Sequence, residues 1–177
     1  MKKTYELIAE NEFCEEKNLR YRLYRHWDAK KPTACVIMFN PARIDPNPFR
    51  LGVTLTKVFE HIENDYGSMV VVNLYPTVKD KKKDLKQNER KFDERNFTYI
   101  KNAVMSSDKV VLFWGNDTGM SKDVRFIRLL RENENKLNCF RLTEKSKQPD
   151  YIYALNRNNH TLKKCIITAE DKFQIID

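Results

Sequence analysis

Three short apolar runs stand out along the chain, at residues 34–39, 69–74 and 110–114. Each is β-branched or aromatic and nearly uninterrupted, the pattern of strands covered on both faces. Between them the apolar period changes to 3.6. Leu51, Leu55, Val58, Phe59, Ile62 and Tyr66 share one helical face, and Gly67 offers a left-handed stop behind it. Phe92, Ile100, Ala103 and Val104 give residues 89–106 a noisier helical stripe. A third helix is predicted over 121–131, with Val124, Ile127 and Leu130 inward and Ser121 as its N-cap. Residues 137–143 read as a fourth core strand and 165–168 as an edge strand. Near the start, 4–10 and 19–26 read as two strands. In the second, Leu19, Tyr21 and Leu23 alternate with Arg20, Arg22 and Tyr24, as in a half-buried strand. The two are expected to pair as a hairpin at the sheet edge.

Strand and helix alternate with no linker, repeat or low-complexity tract between them. That predicts one α/β domain over 1–177, a three-layer sandwich whose central, mostly parallel sheet has four core strands plus the N-terminal edge hairpin. Beyond about residue 145 the pattern assigns only the edge strand.

Composition narrows the partners more than the fold. A hydrophobic content of 41% suffices for a core and excludes wholesale disorder. Lys and Arg number 33 against 25 Asp and Glu, a net charge of +8 that attracts polyanions, nucleic acid above all. No apolar run approaches the roughly 18 residues a membrane span needs, so no membrane partner is expected. The opening Met-Lys-Lys-Thr-Tyr-Glu lacks the apolar stretch of a signal peptide. Cys14, Cys35, Cys139 and Cys165 form no CxxC pair and read as free thiols in a reducing cytoplasm. His26, His61 and His160 complete no ligand spacing, so neither a metal nor another cofactor is expected.

In an open α/β sheet, ligands bind beyond the carboxyl ends of the strands. Three strand ends here each deliver an asparagine beside an aromatic: Phe39-Asn40-Pro41, Asn73-Leu74-Tyr75, and Trp114-Gly115-Asn116. A carboxamide offers one donor and one acceptor at the spacing of a nucleobase edge. The rings of Phe39, Tyr75 and Trp114 offer stacking faces worth about 1–3 kcal/mol per base. The alternative is that each asparagine only ties down its own turn. Lys79, Lys81, Lys82 and Lys83 follow the second strand end and can meet nucleic-acid phosphates there, or form a solvated loop. Gly115 to Lys122 fails the Walker spacing, and neither GxSxG nor GxGxxG occurs.

These motifs resemble the domain-of-unknown-function family 1643. That family carries a basic hairpin, an (I/L)MLNPS-type segment, a VVNLF-type strand end, a V-x-x-WG strand, and a late L-T…P-x-H-P-L-Y segment. The counterparts are residues 20–27, Ile37-Met38-Phe39-Asn40-Pro41, Val71-Val72-Asn73-Leu74-Tyr75, Val111 to Asn116, and Leu142-Thr143 followed by Gln148 to Tyr153. More distantly, the same order is similar to the uracil-DNA glycosylase superfamily. There an Asn-Pro asparagine orients the attacking water, a strand-end asparagine reads the uracil edge, and a Leu-Trp-Gly strand follows. Asn40-Pro41, Asn73 and Trp114-Gly115 match. The superfamily's His-Pro-Ser histidine, which stabilises the leaving base, has no counterpart, and the late-segment histidine of the closer family is missing too.

The resemblance implies a uracil-DNA-glycosylase-like fold and an N-glycosidase-like hydrolase acting on a flipped or single-stranded base. Asn40 would hold the water, Asn73 would pair with the base edge, and Phe39 or Tyr75 would stack on it. Asp45 would place negative charge beside the developing oxocarbenium ion. For the leaving base only Lys145, Lys147 or His160 come into question. Thr54 stands where the closer family often has a threonine. A non-catalytic nucleic-acid or nucleotide binding module needs only the rim, rings and amides. A small-metabolite enzyme is the third alternative.

Overall fold

The computed structural model describes residues 6–43, 47, 50–152, 155, 158 and 160–176. The alternating segment near the start forms a hairpin of β1 (Ile8–Cys14) and β2 (Leu19–His26). β1 starts and ends later than its apolar content suggests. As an edge strand it leaves Glu10, Asn11 and Glu12 in water, so polar residues do not stop it. Asn18, at φ 51°, closes the short turn to β2.

The three apolar runs become β3 (Thr33–Met38), β4 (Ser68–Asn73) and β5 (Lys109–Phe113), joined by α1 (Val53–Ile62) and α2 (Glu94–Ser106). After β5 come α3 (Val124–Glu132), the short β6 (Leu137–Cys139), and a hairpin of β7 (Lys163–Ile167) and β8 (Phe173–Ile176). All eight strands share one sheet in the order β1-β2-β4-β3-β5-β6-β7-β8. Successive residues of β3 face opposite cores. Cys35 and Ile37 meet Ile100, Val104, Phe126 and Leu130 of α2 and α3, whereas Ala34 and Val36 share a cluster with Leu55, Val58 and Ile62 of α1. The layers are therefore helix, sheet, helix. Full burial of each Val, Leu, Ile or Phe among them contributes roughly 1.5–3 kcal/mol.

The sheet is mixed rather than mostly parallel. Of the seven ladders between described strands, β3–β4, β3–β5 and β5–β6 are parallel and the other four antiparallel. The excess comes from two hairpins that tight turns can close, one at each edge. β7 is correspondingly not an edge strand, because β8 covers it from Phe173 to Ile176.

Three local expectations change for physical reasons. Asp123, not Ser121, caps α3, accepting a hydrogen bond from the Arg125 amide at 2.9 Å. The helix starts later, and Val124 in its first turn is 81% exposed while Phe126 is buried. Gly67 is not a left-handed helix stop, since among glycines only Gly52 and Gly115 have positive φ. It is needed instead for close approach: its carbonyl accepts from the amides of Trp27 and Asp28, and a Cβ there would lie 1.8 Å from the Asp28 oxygen.

From β3 the chain crosses to β4 on one side, and later to β5 on the other. The carboxyl ends of β3 and β5 therefore flank a topological switch point, where an open sheet leaves a crevice.

Candidate functional site

A cavity of about 370 Å³ opens at that switch point. The end of β3 (Met38, Phe39, Asn40), the first turn of α1 (Gly52 to Leu55), the loop Lys79 to Lys82, Trp114, Tyr151 and Arg20 of β2 line it. Its dimensions fall in the range of small-ligand sites.

Asn40 fastens two of these walls together. Its Nδ2 donates to the carbonyls of Pro41 at 3.1 Å and Lys79 at 2.9 Å. Its Oδ1 has no hydrogen-bond partner among the described residues. Pro41 is buried, and its carbonyl also accepts from the Lys79 amide at 2.9 Å. The lysine loop is thus tied to the end of β3 by backbone-directed bonds rather than left in solvent.

Lys82 reaches across the crevice from the same loop. Its Nζ donates to the carbonyls of Trp114, at 3.3 Å, and Asn116, and stands 3.8 Å from the centre of the Phe39 ring. Burial pulls its ammonium down to about 8. Asp117 and Asp150 oppose that shift, and Arg90 adds to it. Gly115 lets the strand end turn beneath this amine with φ 73°, a conformation a side chain disfavours. A Cβ there would press on Tyr151 at 3.2 Å.

Tyr151 is the most exposed ring on the cavity, at 36%. Its hydroxyl shares a 2.8 Å hydrogen bond with the Thr54 hydroxyl, and its ring leans on Phe113 with centroids 5.2 Å apart. Thr54 accordingly faces the site and is not plain helix surface.

The aromatic residues singled out at the strand ends are less available. Trp114 is fully buried; its ring packs between Phe126 and Phe173, and its Nε1 donates to Gln148 Oε1 at 2.9 Å. Tyr75 is also fully buried, donating to Asp117 Oδ1 at 2.8 Å and accepting from the Met120 amide at 3.0 Å. Burial raises its hydroxyl pKa above the ordinary value. Phe39 packs edge-on against Tyr75 and carries Lys82 and Arg90 near its ring.

The three asparagines do not meet in one hollow. Asn40 lines the cavity; Asn73, 1% exposed, does not, and neither its Nδ2 nor its Oδ1 has a partner among the described residues. Asn116 is exposed, and its Oδ1 accepts from the Ser146 hydroxyl. Gly115 and Pro41 shape the walls from behind. Lys79, Lys81 and Lys82 line the cavity, while Lys83, Lys145, Lys147 and His160 do not. Asp45 lies outside the described residues. Among those described, no group of His, Cys, Asp and Glu is arranged to hold a metal ion.

Arg20 is the cavity residue that periodicity conceals. Strand alternation sets it on the same side as Arg22, yet it is only 3% exposed. The ladder explains this: Glu12 pairs with Arg22 and Phe13 with Arg20, so Tyr21 is an extra residue. Such a bulge turns the residue before it to the opposite face.

The sequence profile of a family described as a protein of unknown function (DUF1643) matches residues 20–150. No curated protein and no solved structure matches the chain.

Proposed function

The chain belongs to the DUF1643 family, and on that premise we propose that its switch-point cavity is a binding site for a nucleotide unit, free or within a single strand. The observation that carries this is the joining, in one cavity, of an accessible ring with a cationic wall. Tyr151 offers the ring; Arg20, Lys79, Lys81 and Lys82 supply the charge. A base stacked on the tyrosine and an anionic backbone on the lysine loop use both. The net charge of +8 extends the attraction beyond the cavity.

One observation favours the cleavage reading as a second possibility. The Asn40 Oδ1 in the cavity wall lacks a described partner, and such an oxygen can orient a water. Against it, Asn73 is not among the residues that line the cavity.

Fluorescence anisotropy with labelled single-stranded oligonucleotides at 50 and 200 mM salt tests the binding. The expected result is binding that weakens with salt, with a log–log slope of about −0.7 per phosphate contacted. Absence of binding at the lower salt by these strands and by a nucleoside monophosphate alike, with folded protein, would overturn the proposal. Abasic sites appearing in uracil- or hypoxanthine-containing strands would establish cleavage instead of binding alone.

A further inference from the structure

We propose that Arg20 and the first turn of α1 form a subsite for a phosphate monoester, the terminal phosphate of a nucleotide or of a strand end. The inference rests on the nucleotide reading of the same cavity and names the group that anchors the ligand there.

Two independent features converge. Arg20 is a cavity-lining cation, 3% exposed, with no carboxylate partner among the described residues. Its Nη1 donates to the Ala42 carbonyl at 3.2 Å, while its buried Nε has no hydrogen-bond partner among the described residues. A guanidinium held out of water with a free N–H is unfavourable unless an anion meets it. Its planar fork suits a phosphate in particular. Across the same cavity, the ten-residue helix α1 follows Gly52 at its N-cap position, with no side-chain cap and no acidic residue in its first turn. Unpaired amides and the positive end of the helix dipole favour an anion at that spot.

Charge decides which anion. Of the other cavity cations, Arg43 is engaged by Asp80 and Lys79 by Glu89 at 3.3 Å. Arg20, Lys81 and Lys82 then face the ligand with no carboxylate in ion-pair range among the described residues. A carboxylate or a phosphodiester brings a single negative charge. A phosphate monoester brings close to two at neutral pH, since its second pKa is about 6.

Isothermal titration of the full chain tests this with adenosine, adenosine 5′-monophosphate, inorganic phosphate, and one oligonucleotide bearing either a 5′-phosphate or a 5′-hydroxyl. The monophosphate should bind at least tenfold tighter than adenosine, with inorganic phosphate competing. Should only the oligonucleotides bind, the 5′-phosphorylated form should be the tighter by a similar factor, which identifies a strand end as the source. R20Q should abolish that preference and R20K should keep part of it. If R20Q does not fold, the comparison on the unaltered chain decides. Equal affinity with and without the phosphate would overturn the subsite and leave the nucleotide reading standing. No binding by any probe would overturn both.

Discussion

At the scale of single residues, Lys82 links the electrostatics of the cavity to pH. Its ammonium is partly buried beside Phe39 and titrates near 8. Below that pH it is charged and attracts an anionic ligand; above it the charge is lost. A bound anion raises its pKa, so binding takes up protons around pH 8. Arg90, Asp117 and Asp150 act on it, but Tyr75, held above its ordinary value, stays neutral across this range. The phosphate itself is already a dianion there. The affinity for a nucleoside monophosphate should therefore fall roughly three- to tenfold between pH 7 and 9, and K82M should flatten the profile. Titration calorimetry at three pH values measures it; an affinity that rises with pH would contradict the assignment. Residues such as Lys82 were visible in the sequence as a basic run after a strand end. Arg20 and Tyr151 were not. A one-residue bulge hid the first, and the second lies in a segment whose pattern assigns no element.

At the scale of elements, hydrophobic periodicity located β3, β4, β5 and the three helices, because each buries a face against the layer beside it; of the strand expected over 137–143 only Leu137–Cys139 forms. It failed where the determinants are polar or steric. The N-cap of α3 depends on which carboxylate reaches an amide, and both Ser121 and Asp123 are of the right type. Gly67 marked the end of α1 but not the reason for a glycine. That reason is the approach of the 27–28 backbone, which places an amide pair on its carbonyl. G67A should thus destabilise the fold by about 3 kcal/mol or more, since the added methyl overlaps main-chain atoms rather than a movable side chain. Urea unfolding monitors it. An unchanged midpoint would mean that the turn before β3 yields freely.

At the scale of the whole molecule, topology does most to define the site. Strands β3 and β5 separate their crossovers to opposite sides, and the cavity at their ends joins residues as distant along the chain as Arg20 and Tyr151. Alternation of strands and helices foretold the layers and the rim at which the cavity opens. The antiparallel edges were less legible, because the tail beyond residue 145 carries little periodicity and its hairpin is fixed by pairing with β6. The idea of three asparagines around one hollow also failed at this scale. Each does end or follow a core strand, but alternate residues of a strand face opposite layers, so neighbouring strand ends need not present their amides to the same space. One face of the rim, joined by the lysine loop and α1, holds the cavity. Chemical-shift mapping on the isotope-labelled chain, titrated with a nucleoside monophosphate to millimolar concentration, interrogates this arrangement directly. Perturbations should cluster at Arg20, Asn40, the first turn of α1, Lys79 to Lys82 and Tyr151. Perturbations confined to the β7–β8 edge, or none at a concentration that detects binding as weak as about −4 kcal/mol, would contradict it.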